Sequence, residues 1–191
     1  GIATEVGKTV ASAIVTEALE ADYWKPIQAG DLDDSDTHKV KRFISNTKTH
    51  FFENAFSLQT PMSPHAAAVI DGVSIKASAI QRPETNNHLV IEGAGGLLVP
   101  ISDTETILDL IQVEDKVIVV SRHYLGSINH TLLTIDKLKQ EGKTIFGILF
   151  SGEEHLTTEA VIKKMSGVPV LGRIDEEPYF DKMVLKNMQS F

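Results

Sequence analysis

A glycine-rich turn that feeds straight into an amphipathic helix leaves little choice about local structure. The first nine residues, GIATEVGKT, form such a turn and run directly into VASAIVTEALEA. The turn points successive backbone N–H groups inward, and the helix N-terminus adds partial positive charge. Together they make a cradle for the polyphosphate of a nucleotide. Gly7 lets the backbone come close, Lys8 is placed to reach the β and γ phosphates, and the Thr9 hydroxyl is placed to ligate the magnesium that accompanies them. The common pattern has four residues between the first glycine and Gly-Lys-Thr, whereas five follow Gly1 here. The bland reading is an ordinary helix start with an exposed lysine.

Beyond the loop, Val10, Ala13, Ile14, Ala18 and Leu19 recur at helical spacing, so the helix should lay one face on a sheet and end near Ala21. Tyr23 to Gln28 reads as one short extended run carrying Lys25-Pro26. Proline biases Lys25 to an extended conformation, which suits either an ammonium presented into a site or a surface lysine at a strand end. The acidic loop with Asp31, Asp33, Asp34 and Asp36 is a solvated turn or puts one carboxylate beside a metal. Residues 37–46 read as a helix and 49–58 as an irregular aromatic piece. Ser63-Pro64-His65 reads as cap, initiating proline and first-turn residue of a helix over 64–71, with His65 structural rather than a metal ligand.

The next strong signal is HLVIEGAGGLLVPI. Leu89, Val90 and Ile91 make a buried-strand run that ends in Glu92 and breaks at Gly93, Gly95 and Gly96. Ligands of open α/β sheets collect at the carboxyl ends of strands, so Glu92 is placed to meet a nucleotide-bound magnesium; the alternative is a capping carboxylate. Residues 106–112 read as a helix, and 116–120 as a strand ending at Ser121. Gly126 then turns into a helix over 128–141 with Ser127 as N-cap, a second helix start able to hold an anion such as a carboxylate. A strand over 144–149, a helix over 157–165, a strand over 168–171 and a final helix over about 179–189 complete the alternation. This order predicts a three-layer α/β fold, a mostly parallel sheet with helices on both faces, within a single domain over 1–191. A phosphate loop normally follows a buried strand, so a strand is expected upstream of Gly1.

The net charge of −8 argues against nucleic acid or an anionic membrane as partner, because either favours a basic face. The chain has no cysteine, so thiolate nucleophiles and sulfur-ligated zinc are not available, and no apolar run reaches bilayer-spanning length. A cytoplasmic location is the expectation.

Taken together, these motifs resemble the dethiobiotin synthetase family, ATP-dependent carboxylases of biotin biosynthesis with a P-loop NTPase-like fold. The resemblance spans nearly the whole chain. The family's phosphate loop carries the extra residue and reads Thr-Glu-Val-Gly-Lys-Thr, here Thr4 to Thr9. Its Lys-Pro matches Lys25-Pro26, its Ser-Asp matches Ser35-Asp36, and its Ser-Pro-His matches Ser63 to His65. Its Glu-Gly-Ala-Gly-Gly matches Glu92 to Gly96, and its Leu-Gly-x-Ile-Asn-His matches Leu125 to His130. The resemblance implies a homodimer acting on 7,8-diaminopelargonic acid, carbon dioxide or bicarbonate, and ATP as co-substrate, with Mg2+ as cofactor. It implies Lys8, Lys25 and Thr4 in catalysis, the last holding a carbamate. It places the nucleotide against Glu5, Val6, Gly7, Lys8, Thr9 and Val10 on one side and Asp36, Glu92, Gly93, Ala94 and Gly95 on the other. Thr9, Asp36 and Glu92 hold the metal, directly or through water. Ala29 lies at the substrate, and Gly126, Ser127, Ile128 and Asn129 receive its carboxylate across the dimer interface.

Three positions depart from the family pattern. Ala29 stands where a serine or threonine is frequent, with Gln28 as the candidate replacement, Ala3 stands where many members carry aspartate, and Ser151-Gly152 replaces an Asn-Asp pair that contacts adenine in some members. The main alternative is a partition or cell-division switch ATPase of the same fold group. Those proteins usually carry a lysine early in the loop, and Ile2, Ala3 and Thr4 offer none. An amidotransferase-associated ATPase domain and a non-enzymatic binding module are the remaining alternatives. The first normally accompanies a glutaminase domain with a catalytic cysteine; the second would not need lysines and metal carboxylates converging on one edge.

Overall fold

The computed structural model describes residues 1–177, 179, 180 and 182. Its helices and strands alternate, and every pairing between the named strands is parallel. Helix α1 (Lys8–Leu19) starts directly after Gly7, whose φ of 87° turns the chain into the helix, and stops at Glu20, itself left-handed at φ 48°. Its buried residues include Ala11, Ala13 and Ile14, and it packs on β5 (Leu89–Ile91) and on α2 (Asp36–Phe43).

The extended run after α1 is two strands rather than one, β1 (Asp22–Trp24) and β2 (Ile27–Ala29). The break falls at Lys25-Pro26, where proline removes a ladder donor. Strand β1 lies between β3 (Phe51–Phe52) and β5, whereas β2 pairs with β4 (Phe56–Leu58). The stretch expected to be irregular therefore holds two short strands, recruited by partners far along the chain. A third sheet orders β6 (Lys116–Arg122), β7 (Thr144–Ser151) and β8 (Val170–Ile174). Helix α4 (Ser127–Gln140) packs across β6 and β7 and against α5 (Leu156–Ser166). The larger core cluster joins α1, β1 and the β6-β7-β8 sheet through residues such as Ile14, Tyr23, Val119 and Phe150. A smaller one gathers Ile27, Leu58, Ala67 and Ile101 around α3 (Pro64–Ile70).

Several boundaries move. Helix α2 begins at Asp36 and ends at Phe43, because Ser35 caps it in a reciprocal box with His38. The helix expected over 106–112 is a single 3-10 turn, Ile107–Leu110, closed by a box between Thr106 and Asp109. Ser127 is not a cap: Gly126, at φ 101°, holds the N-cap position, and Ser127 is the buried first residue of α4. The strand over 144–149 runs on to Ser151, and the one expected over 168–171 covers Val170–Ile174 instead. The final helix expected over about 179–189 lies outside the described residues. No described helix is long and apolar enough to cross a membrane.

Candidate active site

The register of β1 against β5 builds the site. Tyr23 pairs with Val90 and Trp24 with Ile91, and the Glu92 N–H continues the ladder by donating to the Trp24 carbonyl at 3.0 Å. Glu92 thus comes level with Lys25. Alternation along an extended chain puts Tyr23 and Lys25 on one face, and both reach the Glu92 carboxylate. The Tyr23 hydroxyl donates to Oε2 at 2.9 Å, and Lys25 Nζ lies 3.2 Å from Oε1. The ammonium also meets Asp36 Oδ2 at 2.5 Å. Lys25 is 4% exposed, which rules out the surface-lysine reading.

Asp36 is set by its helix end. Ser35 caps α2 immediately before it, and the Asp36 N–H donates to Gln28 Oε1 at 3.3 Å. Gln28 Nε2 donates to the Gly30 carbonyl, and Gln28 lines the cleft beside Ala29, with one amide N–H and one oxygen lone pair not used by these two bonds. Thr9 Oγ1 completes the cluster, 2.9 Å from Asp36 Oδ1 and 3.0 Å from Glu92 Oε1. A hydroxyl carries one proton and serves one of these oxygens at a time. Two carboxylates converging on a hydroxyl form a hard oxygen donor set of the kind magnesium selects, so these residues fit that ion.

The electrostatics follow from burial and pairing. Burial works against the Lys25 ammonium, but Glu92 and Asp36 overcome it and hold its pKa above the ordinary lysine value. Burial would raise the Asp36 carboxyl, and Lys25 together with the Thr9 hydroxyl pulls it below its usual range. Burial pushes the Tyr23 phenol well up, with the Glu92 charge adding to it. Lys8 is lowered, by burial first, with the Lys25 charge acting in the same sense; its Nζ donates to the Ala3 carbonyl at 2.8 Å.

The loop is clamped between neighbours. A Cβ on Gly7 would stand 2.6 Å from Ser151 Oγ, and one on Gly96 would stand 3.2 Å from the Ile2 carbonyl oxygen. Around it opens a cleft of about 890 Å3. Of the residues singled out from the sequence, Thr4, Glu5, Gly7, Lys8, Thr9, Val10, Lys25, Ala29, Asp36, Glu92, Ala94 and Gly95 line it. Val6 does not, its side chain being core, and Gly93 is likewise set back. Gly126, Ser127, Ile128 and Asn129 line no part of this cleft in their own chain. Ser63 holds the N-cap position of α3 without a side-chain capping bond, its hydroxyl instead lying 3.1 Å from His65 Nδ1. Sequence reasoning missed Tyr23, whose signal is its position two residues before Lys25 in the extended run. It also missed Lys39, Met62 and Arg122 in the cleft wall, which no motif marks.

Comparison with known proteins places the chain in a family. Residues 1–184 match the family model described as AAA domain. The ATP-dependent dethiobiotin synthetase BioD of Christiangramia forsetii is 67% identical over 186 residues, covering 97% of this chain and 90% of that protein. The enzyme of the same name from Cytophaga hutchinsonii is 46% identical, covering 96% and 90%. The chain belongs to the dethiobiotin synthetase family. Among solved structures, a ParA family ATPase from Chlorobium tepidum aligns with a TM-score of 0.54 at 14% identity, covering 98% of this chain and 90% of that one, a likeness of fold alone.

Within this dethiobiotin synthetase family member, the far end of the cleft is made where β6, β7 and β8 finish. Arg122, Ser151 and Gly152 face Asp175, Glu176 and Glu177 there, and the Arg122 guanidinium pairs with the Glu176 carboxylate.

Proposed function

We propose that this chain is an ATP-dependent dethiobiotin synthetase that converts 7,8-diaminopelargonic acid, carbon dioxide and ATP to dethiobiotin, ADP and phosphate. One substrate amine adds to carbon dioxide and loses a proton, giving a carbamate. A carbamate oxygen attacks the γ phosphorus and ADP leaves. The second amine then attacks the carbamoyl carbon, closing the ureido ring and expelling phosphate. The observation that carries this reading is the buried Lys25 ammonium, held between Asp36 and Glu92 beside Thr9 of the phosphate loop. Carbamate and triphosphate are both anionic, and bringing them together in a site of low dielectric requires fixed positive charge and oriented donors.

The backbone N–H groups from Glu5 to Val10 cradle the phosphates, Lys8 leaves the Ala3 carbonyl to meet them, Lys25 faces the transferring group, and Thr4 orients the carbamate. Asp36, Glu92 and Thr9 would hold magnesium, which when bound would polarise the phosphoryl oxygens. Ala94 and Gly95 wall the metal side, and Ala29 lies against the diamine. The substrate carboxylate is received by Gly126, Ser127, Ile128 and Asn129 of a second copy in a homodimer. Two facts support that placement: these residues do not line their own cleft, and Ile128 stands exposed together with the neighbouring Tyr124 and Leu125. A cytoplasmic location accompanies ATP as phosphoryl donor.

The test is incubation with the diamine, bicarbonate and magnesium ATP, with mass spectrometry for the cyclised urea and a phosphate assay run in parallel. ATP consumption should depend on diamine and carbon dioxide together. Robust hydrolysis without diamine, stimulated by DNA or lipid, would instead identify a switch ATPase.

A further inference from the structure

We infer that Tyr23 is a positioning residue: by occupying one oxygen of Glu92, it presents the other to Thr9, Lys25 and the magnesium-bound nucleotide. The inference rests on the synthetase reading of the site and adds a residue that none of the loop motifs contains.

Tyr23 is fully buried in the central strand of its sheet. Its backbone is held on one side by pairing with Phe51 and on the other by pairing with Val90, and its ring packs at 5.8 Å on the Phe51 ring. The phenol therefore has little freedom to move. Its hydroxyl donates to Glu92 Oε2 at 2.9 Å, while Thr9 Oγ1 and Lys25 Nζ both approach Oε1, at 3.0 and 3.2 Å. A carboxylate without such an anchor can rotate about its terminal torsion and exchange its two oxygens, since that torsion is broad and roughly two-fold. Glu92 is 3% exposed, so no bulk water is at hand to hold the second oxygen in place. Tyr23 breaks the symmetry between the two oxygens. Oε1 alone is left facing the phosphate loop, and the carboxylate is pre-set to offer one oxygen rather than two. Partners of this kind behind a ligating carboxylate typically affect metal affinity by about 10- to 100-fold.

Tyr23→Phe removes the hydroxyl and keeps the ring. The affinity of the chain for Mn2+, followed by electron paramagnetic resonance with a non-hydrolysable ATP analogue, should weaken by about tenfold or more. KM for the diamine should not change, and turnover lost at low magnesium should return at high magnesium, a pattern that general loosening of the core does not produce. In a Glu92→Gln background the same change should cost nothing further. Mn2+ affinity within about twofold of wild type, or a fully additive loss in the double variant, would overturn the positioning role. If wild type bound no Mn2+ beside the analogue, the synthetase reading would fall with it. A wild type that binds metal next to an unaffected Tyr23→Phe variant removes the positioning alone.

Discussion

Taking the ammonium from Lys25 leaves Asp36 and Glu92 as two carboxylates with no cation between them. Lys25→Met, which keeps most of the side-chain volume, should lower kcat/KM by about 10^2 to 10^3, the loss of about 2.7 to 4 kcal/mol typical of one preorganised donor. Lys8→Ala should fall in the same range by initial-rate assay, because its ammonium is expected on the phosphates. Stability adds a pH signature. The raised Lys25 value contributes stability below the ordinary lysine pKa of about 10.4, lost as pH rises through the folded value. The depressed Asp36 value contributes above about pH 3.9 and is lost as pH falls through the folded value. Urea midpoints of wild type and Lys25→Met should therefore differ most between about pH 4 and 10 and converge in acid, where protonated carboxylates no longer need a counter-charge. An equal gap at pH 3 and pH 7 would mean that lost packing, rather than lost pairing, sets the difference. Lys25 also marks a limit of reading by pattern. A Lys-Pro strand end looks the same whether the ammonium meets water or two carboxylates, and Glu92 lies 67 residues away.

Helix α2 shows how a short element serves the site. With eight residues it has little intrinsic stability, yet Asp36 in its first turn needs a fixed direction. The Ser35–His38 box supplies that fixity, the Ser35 hydroxyl accepting from the His38 N–H while His38 Nδ1 accepts from the Ser35 N–H. Ser35→Ala should cost about 1 kcal/mol in urea denaturation. It should also raise the magnesium concentration needed for half-maximal turnover, and Ser35→Thr should restore both. A stability loss without any change in magnesium dependence would uncouple the cap from the site. The same stretch explains where pattern and fold part company. A helix over 37–46 is visible in the chain, but its Ser35 cap is not, and β3 and β4 carry no alternation to announce them and form because β1 and β2 offer open edges.

For the molecule as a whole, two predictions follow from what the cleft contains and lacks. If a neighbouring subunit supplies the carboxylate site, activity per chain should fall on dilution below the dimer dissociation constant, measured by sedimentation alongside turnover. A fully active monomer would remove the cross-subunit role. The second concerns the base. Ser151 and Gly152 at the end of β7 cannot copy the two-point pattern of an amide against adenine, and the Gly152 N–H is already spent on the Ile174 carbonyl. ATP, GTP, CTP and UTP should therefore support kcat/KM within about tenfold of one another, roughly 1.4 kcal/mol. A hundredfold preference for ATP would show that Arg122, Asp175 or the carboxylates beside it read the base.

The local features were legible in the chain because each depends on residues adjacent in sequence. The glycine turn into α1, the strand ending in Glu92, the proline-led start of α3 and the alternation that implies a parallel fold all belong here. So does the list of residues at the cleft from Thr4 to Val10, Val6 excepted. What required the folded molecule was every relation between strands. The β1 to β5 register brings Tyr23 and Lys25 level with Glu92, Pro26 sends β2 to a different partner from β1, and the Gln28 amide oxygen meets the Asp36 N–H. Register and pairing are set by packing across long sequence separations, where the cost of a one-residue slip is the exchange of the buried face for the exposed one. That cost is felt only once the sheet exists, and the cluster of Lys25, Asp36 and Glu92 inherits its geometry from it.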